Sequence, residues 1–327
     1  MLQYILRRLL FMIPIVVLVS IIIFFIIQLP PGDIVSRMVA DMTQNGETVT
    51  SQQIAEMRAA YGLDKPMIVQ YYEWMKGIIT EGDFGYSYAF NRPVLSIIQE
   101  RLGITIFVSV ITMFFTYCVA IPIGIYSAVR QYSFGDYLFS MIGFLGMATP
   151  SFLLAIILMI SSYYMFGNPL LGLVSPEFLE TGWSFGKLLD LLGHMVIPII
   201  VIGLGGTCGL IRIMRGQMLD EMNQQYVVTA QSKGLSERRI LLKYPTRAAI
   251  NPMVSTIGWS LESILTGSTI TAIVLNLPTQ GPVMHKALLS QDMYLAGTWL
   301  LFMTVLIILG TLISDILLAW LDPRIRY

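Results

Sequence analysis

Leu9-Leu-Phe-Met-Ile-Pro-Ile-Val-Val-Leu-Val-Ser-Ile-Ile-Ile-Phe-Phe-Ile-Ile-Gln-Leu29 is an apolar run interrupted only by Ser20 and Gln28. As a helix at 1.5 Å per residue it extends about 31 Å, enough to cross the hydrocarbon core of a bilayer. Arg7 and Arg8 precede it. The run exceeds the apolar core of a signal peptide, and Gln28-Leu-Pro-Pro-Gly-Asp33 offers no small-x-small cleavage site, so the expectation is an uncleaved anchor. The whole chain agrees with a membrane location. Its 327 residues are 55% hydrophobic and 12% charged, with a mean hydropathy of +0.71. Soluble domains carry roughly a quarter charged residues.

Five further candidate spans follow, over 104–126, 138–165, 195–213, 253–275 and 295–318. The expected fold is therefore an all-α polytopic membrane protein with six transmembrane helices. The 138–165 segment is long for one span and carries Pro150 after Ala148-Thr149, which predicts tilt, a kink or an interfacial extension. Six spans put both termini on one side, and charge selects the side. The N-terminal side carries twelve basic residues against six acids, including Arg130, Arg212, Arg215, Lys233, Arg238, Arg239, Lys243 and Arg247. The other side carries eight against thirteen, and Glu262 falls within a span. Basic residues collect on the cytoplasmic side of membrane proteins, so both termini are expected there.

Three regions result: 1–29, an N-terminal tail and first span; 30–103, a small folded external cap; and 104–327, a core of five spans with a cytoplasmic loop over 214–250. The cap holds a helix-like stretch from Ser51 to Tyr61, then turn residues at Gly62, Pro66, Gly82, Gly85 and Pro93. A second external connection, 166–193, predicts a short interfacial helix around Leu188, Leu189, Leu191 and Leu192. Tyr163, Tyr164, Phe166 and Trp183 are expected as interface anchors.

The most informative piece is Tyr226-Val-Val-Thr-Ala-Gln-Ser-Lys-Gly-Leu-Ser-Glu-Arg-Arg-Ile-Leu-Leu-Lys243. A short helix can run to Lys233 and stop at Gly234, a residue suited to a left-handed cap. Ser236 can then cap a second short helix with Glu237 in its first turn. The product is a basic helix–turn–helix elbow with Leu235 at the bend, suited to insertion in a groove on another protein. The plainer alternative is a basic loop that sets topology and touches lipid headgroups.

Ala230-Gln-Ser-Lys-Gly-Leu-Ser-Glu-Arg-Arg239 and Arg247-Ala-Ala-Ile-Asn-Pro252 resemble the EAA coupling loop of ABC importer permeases of the dipeptide/oligopeptide type. The resemblance runs end to end, through Tyr4-Ile-Leu-Arg-Arg-Leu9, Pro31-Gly-Asp33, Tyr61-Gly-Leu-Asp-Lys-Pro66, Gly82-Asp-Phe-Gly85, Pro150-Ser-Phe152, His194-Met-Val-Ile-Pro198 and Leu321-Asp-Pro-Arg-Ile-Arg-Tyr327. It implies an importer in the prokaryotic inner membrane. Two homologous permeases, two cytoplasmic ATPase subunits that bind ATP and Mg, and an external substrate-binding protein would compose it. It implies Tyr226, Ala230, Gly234, Leu235, Glu237 and Arg238 as ATPase-coupling residues. The chain departs from the family where many members carry Trp-Pro-Gly-Leu-Gly after span 5. Here Thr271-Ala-Ile-Val-Leu-Asn-Leu-Pro-Thr-Gln-Gly-Pro282 stands instead. That looks like the branch associated with oligosaccharide uptake, and peptide versus oligosaccharide stays open.

Glu262 is the one acid in mid-span, and a charge there costs at least about 3 kcal/mol unless it meets a partner or water. Ser255, Gly258, Thr266 and Thr269 share its helical face. They form either a pathway wall or polar glue between helices. Gly205 and Gly209 predict a small-xxx-small packing pair, and Cys118 and Cys208 small buried hydrophobes. His194 and His285 have no clustered ligands, so no metal site is expected. The sequence lacks a P-loop, so ATP is expected to bind elsewhere, and it lacks His-Glu-x-x-His, so no catalytic residue and no cofactor are assigned to this chain. Zero net charge gives no footprint for nucleic acid. Membrane lipid is an expected partner. The rival function is an autonomous ion-coupled carrier that protonates Glu262.

Overall fold

The computed structural model describes residues 2–321, with side chains from residue 6. The terminal motif at 322–327 lies outside the described residues. In chain order the elements are α1 (Leu2–Gln28), α2 (Ile34–Gln44), α3 (Ser51–Ala60), α4 (Met67–Glu81), β1 (Tyr86–Ser87), β2 (Arg92–Pro93), α5 (Val94–Val129), α6 (Phe134–Ala148) and α7 (Ser151–Phe166). A 3₁₀ turn (Pro176–Phe178) precedes α8 (Phe185–Met222), α9 (Gln225–Ser232), α10 (Glu237–Lys243), α11 (Pro245–Ser255), α12 (Ile257–Gly267), α13 (Thr269–Val274), α14 (Gln280–Leu289) and α15 (Met293–Leu321). The chain divides into two compact units, one of Leu2–Gly103 with Thr279–Leu306, the other of Ile104–Pro278 with the described part of 307–327.

In the first unit, the two polar residues that interrupt the opening apolar run attach α1 to α4. Ser20 Oγ lies 2.8 Å from Tyr71 Oη, and Gln28 Nε2 donates to Gln70 Oε1 at 3.0 Å. Phe24 stacks on Trp74 between them. The rest of α1 exposes Leu10, Phe11, Ile13 and Leu18, an apolar surface suited to lipid. Asp33 caps α2 by accepting from Ser36 N at 2.6 Å and pairs with Arg58. Burial raises its carboxyl pKa, but the Ser36 hydrogen bonds and the Arg58 guanidinium outweigh that and hold it below the usual value. Thr50 and Gln53 form a capping box on α3, and Gly82 ends α4 in the left-handed conformation. A cleft of about 370 Å³ opens here among Tyr61, Lys65, Gln70, Tyr88 and Tyr294.

Asp292 organises the unit's β-hairpin. It is buried, accepts from Ser87 Oγ at 2.6 Å and Ala89 N at 3.2 Å, and caps the start of α15 through Leu295 N at 3.1 Å.

In the second unit, α8 is the central post against which α6, α7 and α11 pack. Its Leu210, Met214 and Met218 meet Ala120 and Ala128 of α5 and Ala249 and Met253 of α11. Close approach requires Gly124, where a Cβ would lie 2.5 Å from Met214 Cβ. Buried Cys208 fits the expectation for it, whereas Cys118 is exposed on α5 beside Phe114 and Phe115.

The predicted spans are realised unevenly. Four helices among the described residues (α1, α5, α8 and α15) are long and apolar enough to cross a membrane, or five if α6 and α7 form one broken span. Those two bend by 107° at Thr149-Pro150. Thr149 is extended, as a residue before proline must tend to be, and Pro150 is the N-cap residue of α7. The interfacial helix expected near 188–192 is instead the first part of one continuous α8, which also runs past 213 to Met222. The expected continuous span over 253–275 is divided into α11, α12 and α13, with breaks at Thr256 and Ser268. At the first break, Tyr117 Oη lies 3.1 Å from Met253 O, 3.0 Å from Thr256 Oγ1 and 3.2 Å from Ser260 Oγ. Side-chain insertion of this kind is a known cause of helix interruption.

Replacing Asp292 by Ala leaves the Ser87 hydroxyl and two backbone N–H groups without their acceptor. The expected loss is about 2–4 kcal/mol, for a buried charged acceptor and a helix cap together. It is read as a lower thermal midpoint of the detergent-solubilised protein; an unchanged midpoint contradicts the assignment.

Candidate coupling elbow and polar recess

The elbow follows from local sequence. Asn223 ends α8, its Nδ2 donating to Leu219 O at 2.9 Å, and α9 begins two residues later. Lys233 closes α9, and Gly234 takes φ +72°. Ser236 occupies the extended N-cap position of α10 without a side-chain cap bond, and Glu237 sits in the first turn. Pro245 then opens α11. Val227 and Ala230 from α9 and Ile240 from α10 form the elbow's own core, with Leu235 and Tyr244 packed against it.

The six residues singled out from sequence therefore hold different positions. Ala230 is buried (4% exposed) and Leu235 half-buried, so both hold the two short helices together. Tyr226, Glu237 and Arg238 lie on the outside. Partial burial, then the Glu221 carboxylate to which it donates, raises the Tyr226 hydroxyl pKa. Gly234 matters through its backbone: a Cβ there would meet nothing within 4 Å, yet its φ is one that side-chain-bearing residues rarely adopt. Two residues escaped sequence reasoning, Val228 (49% exposed) and Leu242 (63% exposed). Their signal was present: Val228 follows Val227 of the elbow core directly, and Leu242 lies two residues after Ile240 of that core.

The polar stripe expected around Glu262 does not form one continuous face. Ser255 ends α11, Gly258, Glu262 and Thr266 lie on α12, and Thr269 starts α13. Gly258 is buried against α15, where a Cβ would sit 2.7 Å from Thr311 Oγ1. Ser255 Oγ donates to Asn251 O and Thr266 Oγ1 to Glu262 O, each back to the preceding turn of the chain. A recess of this unit lies instead beside Trp259, Ser260 and Ser263 of α12, facing Thr116 of α5 and Gly206 and Gly209 of α8, with a volume of about 220 Å³. Trp259 is 77% exposed. The expected Gly205–Gly209 pair is likewise not the one that packs. Gly203 and Gly206 are the residues that approach α5, with Cβ positions 2.9 Å from Thr116 Oγ1 and 3.6 Å from Thr116 Cγ2, while Gly205 and Gly209 would meet nothing within 4 Å.

Residues 120–327 match the sequence pattern described as binding-protein-dependent transport system inner membrane component, and residues 1–109 match the pattern of the corresponding N-terminal region. The chain belongs to this family. Among its relatives, the oligopeptide transport system permease protein AppB of Bacillus subtilis (strain 168) is 33% identical, with 100% of both chains covered. The dipeptide transport system permease protein DppB of Escherichia coli (strain K12) is 30% identical over 100% of this chain and 99% of that one. The peptidoglycan transport system permease protein YejB of Agrobacterium fabrum (strain C58 / ATCC 33970) is 30% identical over 99% and 98%. A chain from a structure of inward facing conformations of the MetNI methionine ABC transporter shares the fold, with a TM-score of 0.54 at 14% identity, covering 70% of this chain and 97% of that one. As a member of the family, the chain is a multi-pass membrane permease subunit.

If strain at Gly234 sets the elbow angle, Gly234→Asn is expected to preserve it, because asparagine tolerates the left-handed region, and Gly234→Val to distort it. Hydrogen exchange across 226–243 separates the two: protection near that of the unaltered protein for Asn and clear loss for Val. Equal exchange in both variants contradicts the role.

Proposed function

We propose that this permease forms half of the translocation pathway of a peptide-importing ABC system, with the α9–Gly234–α10 elbow as the element that receives force from an ATPase. The observation that carries the proposal is the elbow's construction. Its short helices are clamped by their own buried core, while Tyr226, Val228, Leu242 and a ridge of Arg238 and Arg239 face outward. Such an element can move as a unit when a partner groove moves. Docked there, two cytoplasmic ATPases would bind ATP and Mg, a second homologous permease would complete the path, and an external binding protein would deliver substrate. The excess of basic residues on the elbow's side favours a cytoplasmic elbow and cytoplasmic termini. Six crossings follow if α6–α7 and α11–α13 each count as one broken span, with residues 30–103 as the external cap.

Peptides are favoured as cargo by the names of the relatives AppB and DppB. The oligosaccharide alternative rests on the unusual 271–282 stretch alone. The polar recess at Ser260 and Ser263 is the assigned wall of the path. Glu262 is not among the recess's lining residues, which gives the ion-coupled alternative little support.

Two outcomes test this reading in proteoliposomes holding the permease pair, both ATPases and the binding protein. Leu242→Asp is expected to lower ATP-driven uptake of a labelled oligopeptide by about tenfold or more, the effect of losing an apolar contact and burying a charge in the docking groove, with membrane insertion intact. Uptake by this chain alone under a proton gradient contradicts the proposal. Within the path, Ser263→Leu is expected to slow uptake several-fold, whereas Glu262→Gln leaves the rate and selectivity unchanged. The reverse order moves the path to the Glu262 face.

A further inference from the structure

A second recess of the Ile104–Pro278 unit has a chemistry that neither the elbow nor the path uses. It lies between α6 and α8, has a volume of about 170 Å³, and is walled by Phe139, Phe144, Met147 and Cys208 with Arg212 and Arg215 at one end. The order of residues along the crevice is fixed by three contacts. Asp136 pairs with Arg215, a Cβ on Gly143 would lie 3.5 Å from Cys208, and a Cβ on Gly146 would lie 2.7 Å from Leu204. The two helices therefore run antiparallel, with the cationic end at the start of α6 and the apolar part deeper along it. The distance from Arg212 to Cys208 along α8 is about 6 Å at 1.5 Å per residue.

The two arginines are in different electrostatic states. Arg215 is held in a two-point contact, Nε donating to Asp136 Oδ1 at 3.1 Å and Nη2 to Asp136 Oδ2 at 3.0 Å. Asp136 is itself buried and also accepts from Tyr132 N. Arg212 is exposed one helical turn away and has no hydrogen bond or ion pair among the described residues. The one carboxylate thus offsets one of the two guanidiniums, and the surplus positive charge sits at the mouth of an apolar crevice. The outer face of α6 continues that surface with Met141, Ile142, Phe144 and Leu145 exposed.

We infer that this crevice binds one anionic phospholipid, its phosphate at Arg212 and the free edge of Arg215 and an acyl chain along Phe139, Phe144, Met147 and Cys208. Only an amphiphile with a negative head matches both ends. Basic pockets between membrane helices are suited to such headgroups, and guanidinium donors to phosphate oxygens. A polypeptide segment fits less well, because both walls are helices whose backbone bonds are already internal and Ser140 is the one hydroxyl of the lining. The inference rests on the membrane location of α6 and α8, not on the coupling role of the elbow.

The test is native mass spectrometry of the full-length chain in mild detergent, titrated with phosphatidylglycerol or with phosphatidylcholine of the same acyl chains. Phosphatidylglycerol is expected to bind at least about tenfold more tightly, the value of one charge-assisted contact. Arg212→Gln, which leaves the Asp136–Arg215 pair in place, is expected to abolish that preference. Cys208→Trp, which fills the apolar end, is expected to weaken both lipids, and millimolar inorganic phosphate to displace neither. Equal binding of the two lipids, a preference unchanged in Arg212→Gln, or displacement by phosphate alone overturns the inference. Since a variant can fail to fold, a photoactivatable phosphatidylglycerol is also added to the unaltered protein. Adducts within 139–147 or 208–215 support the site. Adducts only elsewhere, or a crevice protected by a second polypeptide that copurifies, overturn it.

Discussion

A backbone amide in hydrocarbon has no water to bond, so each departure from a continuous helix needs a local replacement for the hydrogen bonds it gives up. That constraint accounts for where this chain bends. A bend of 107° falls at Thr149-Pro150, where proline has no N–H to leave unpaired. The break before α12 falls where the Tyr117 hydroxyl reaches Met253 O. The elbow lies beyond the end of α8, where solvent can satisfy the backbone of Gly234. Long uninterrupted helices such as α8 supply the stiffness between these points. Motion of a docked elbow would pass along α11, which packs on α8 through Ala249 and Met253.

Much of this architecture was legible from residue types. The opening apolar run, the helix that starts at Ser51, the proline bend and the left-handed Gly234 all rest on local chemistry, and local chemistry is what a sequence displays. What could not be read depends on partners distant in sequence. The 253–275 segment has the composition of a span, but its division depends on a tyrosine more than a hundred residues earlier. The glycines of α8 cluster at 203, 205, 206 and 209, and only the position of α5 decides that Gly203 and Gly206, rather than Gly205 and Gly209, are in contact. The Glu262 stripe failed for a related reason: a face defined on one ideal helix disappears once three helices share the segment. Continuation of α8 through 214–222 was hidden because charged residues there resemble a loop, yet Met214 and Met218 are fully buried on one side.

The zero net charge of the sequence acquires meaning in the same way. Arg215 offsets the buried Asp136, Arg58 supports the Asp33 cap, and Arg238 and Arg239 stay exposed on the elbow. Charges used internally stabilise particular turns. Charges left outward are those available to a partner, as Arg238 and Arg239 are on the elbow and Arg212 is beside the crevice.

The central claim is that the exposed side of the elbow contacts an ATPase. A photo-crosslinking residue placed at Leu242 in the assembled transporter tests it directly. An adduct with an ATPase subunit is expected, its yield changing between nucleotide-free and ATP-bound states. An adduct with lipid alone, or labelling of position 242 by a reagent confined to the outside of the membrane, would contradict it.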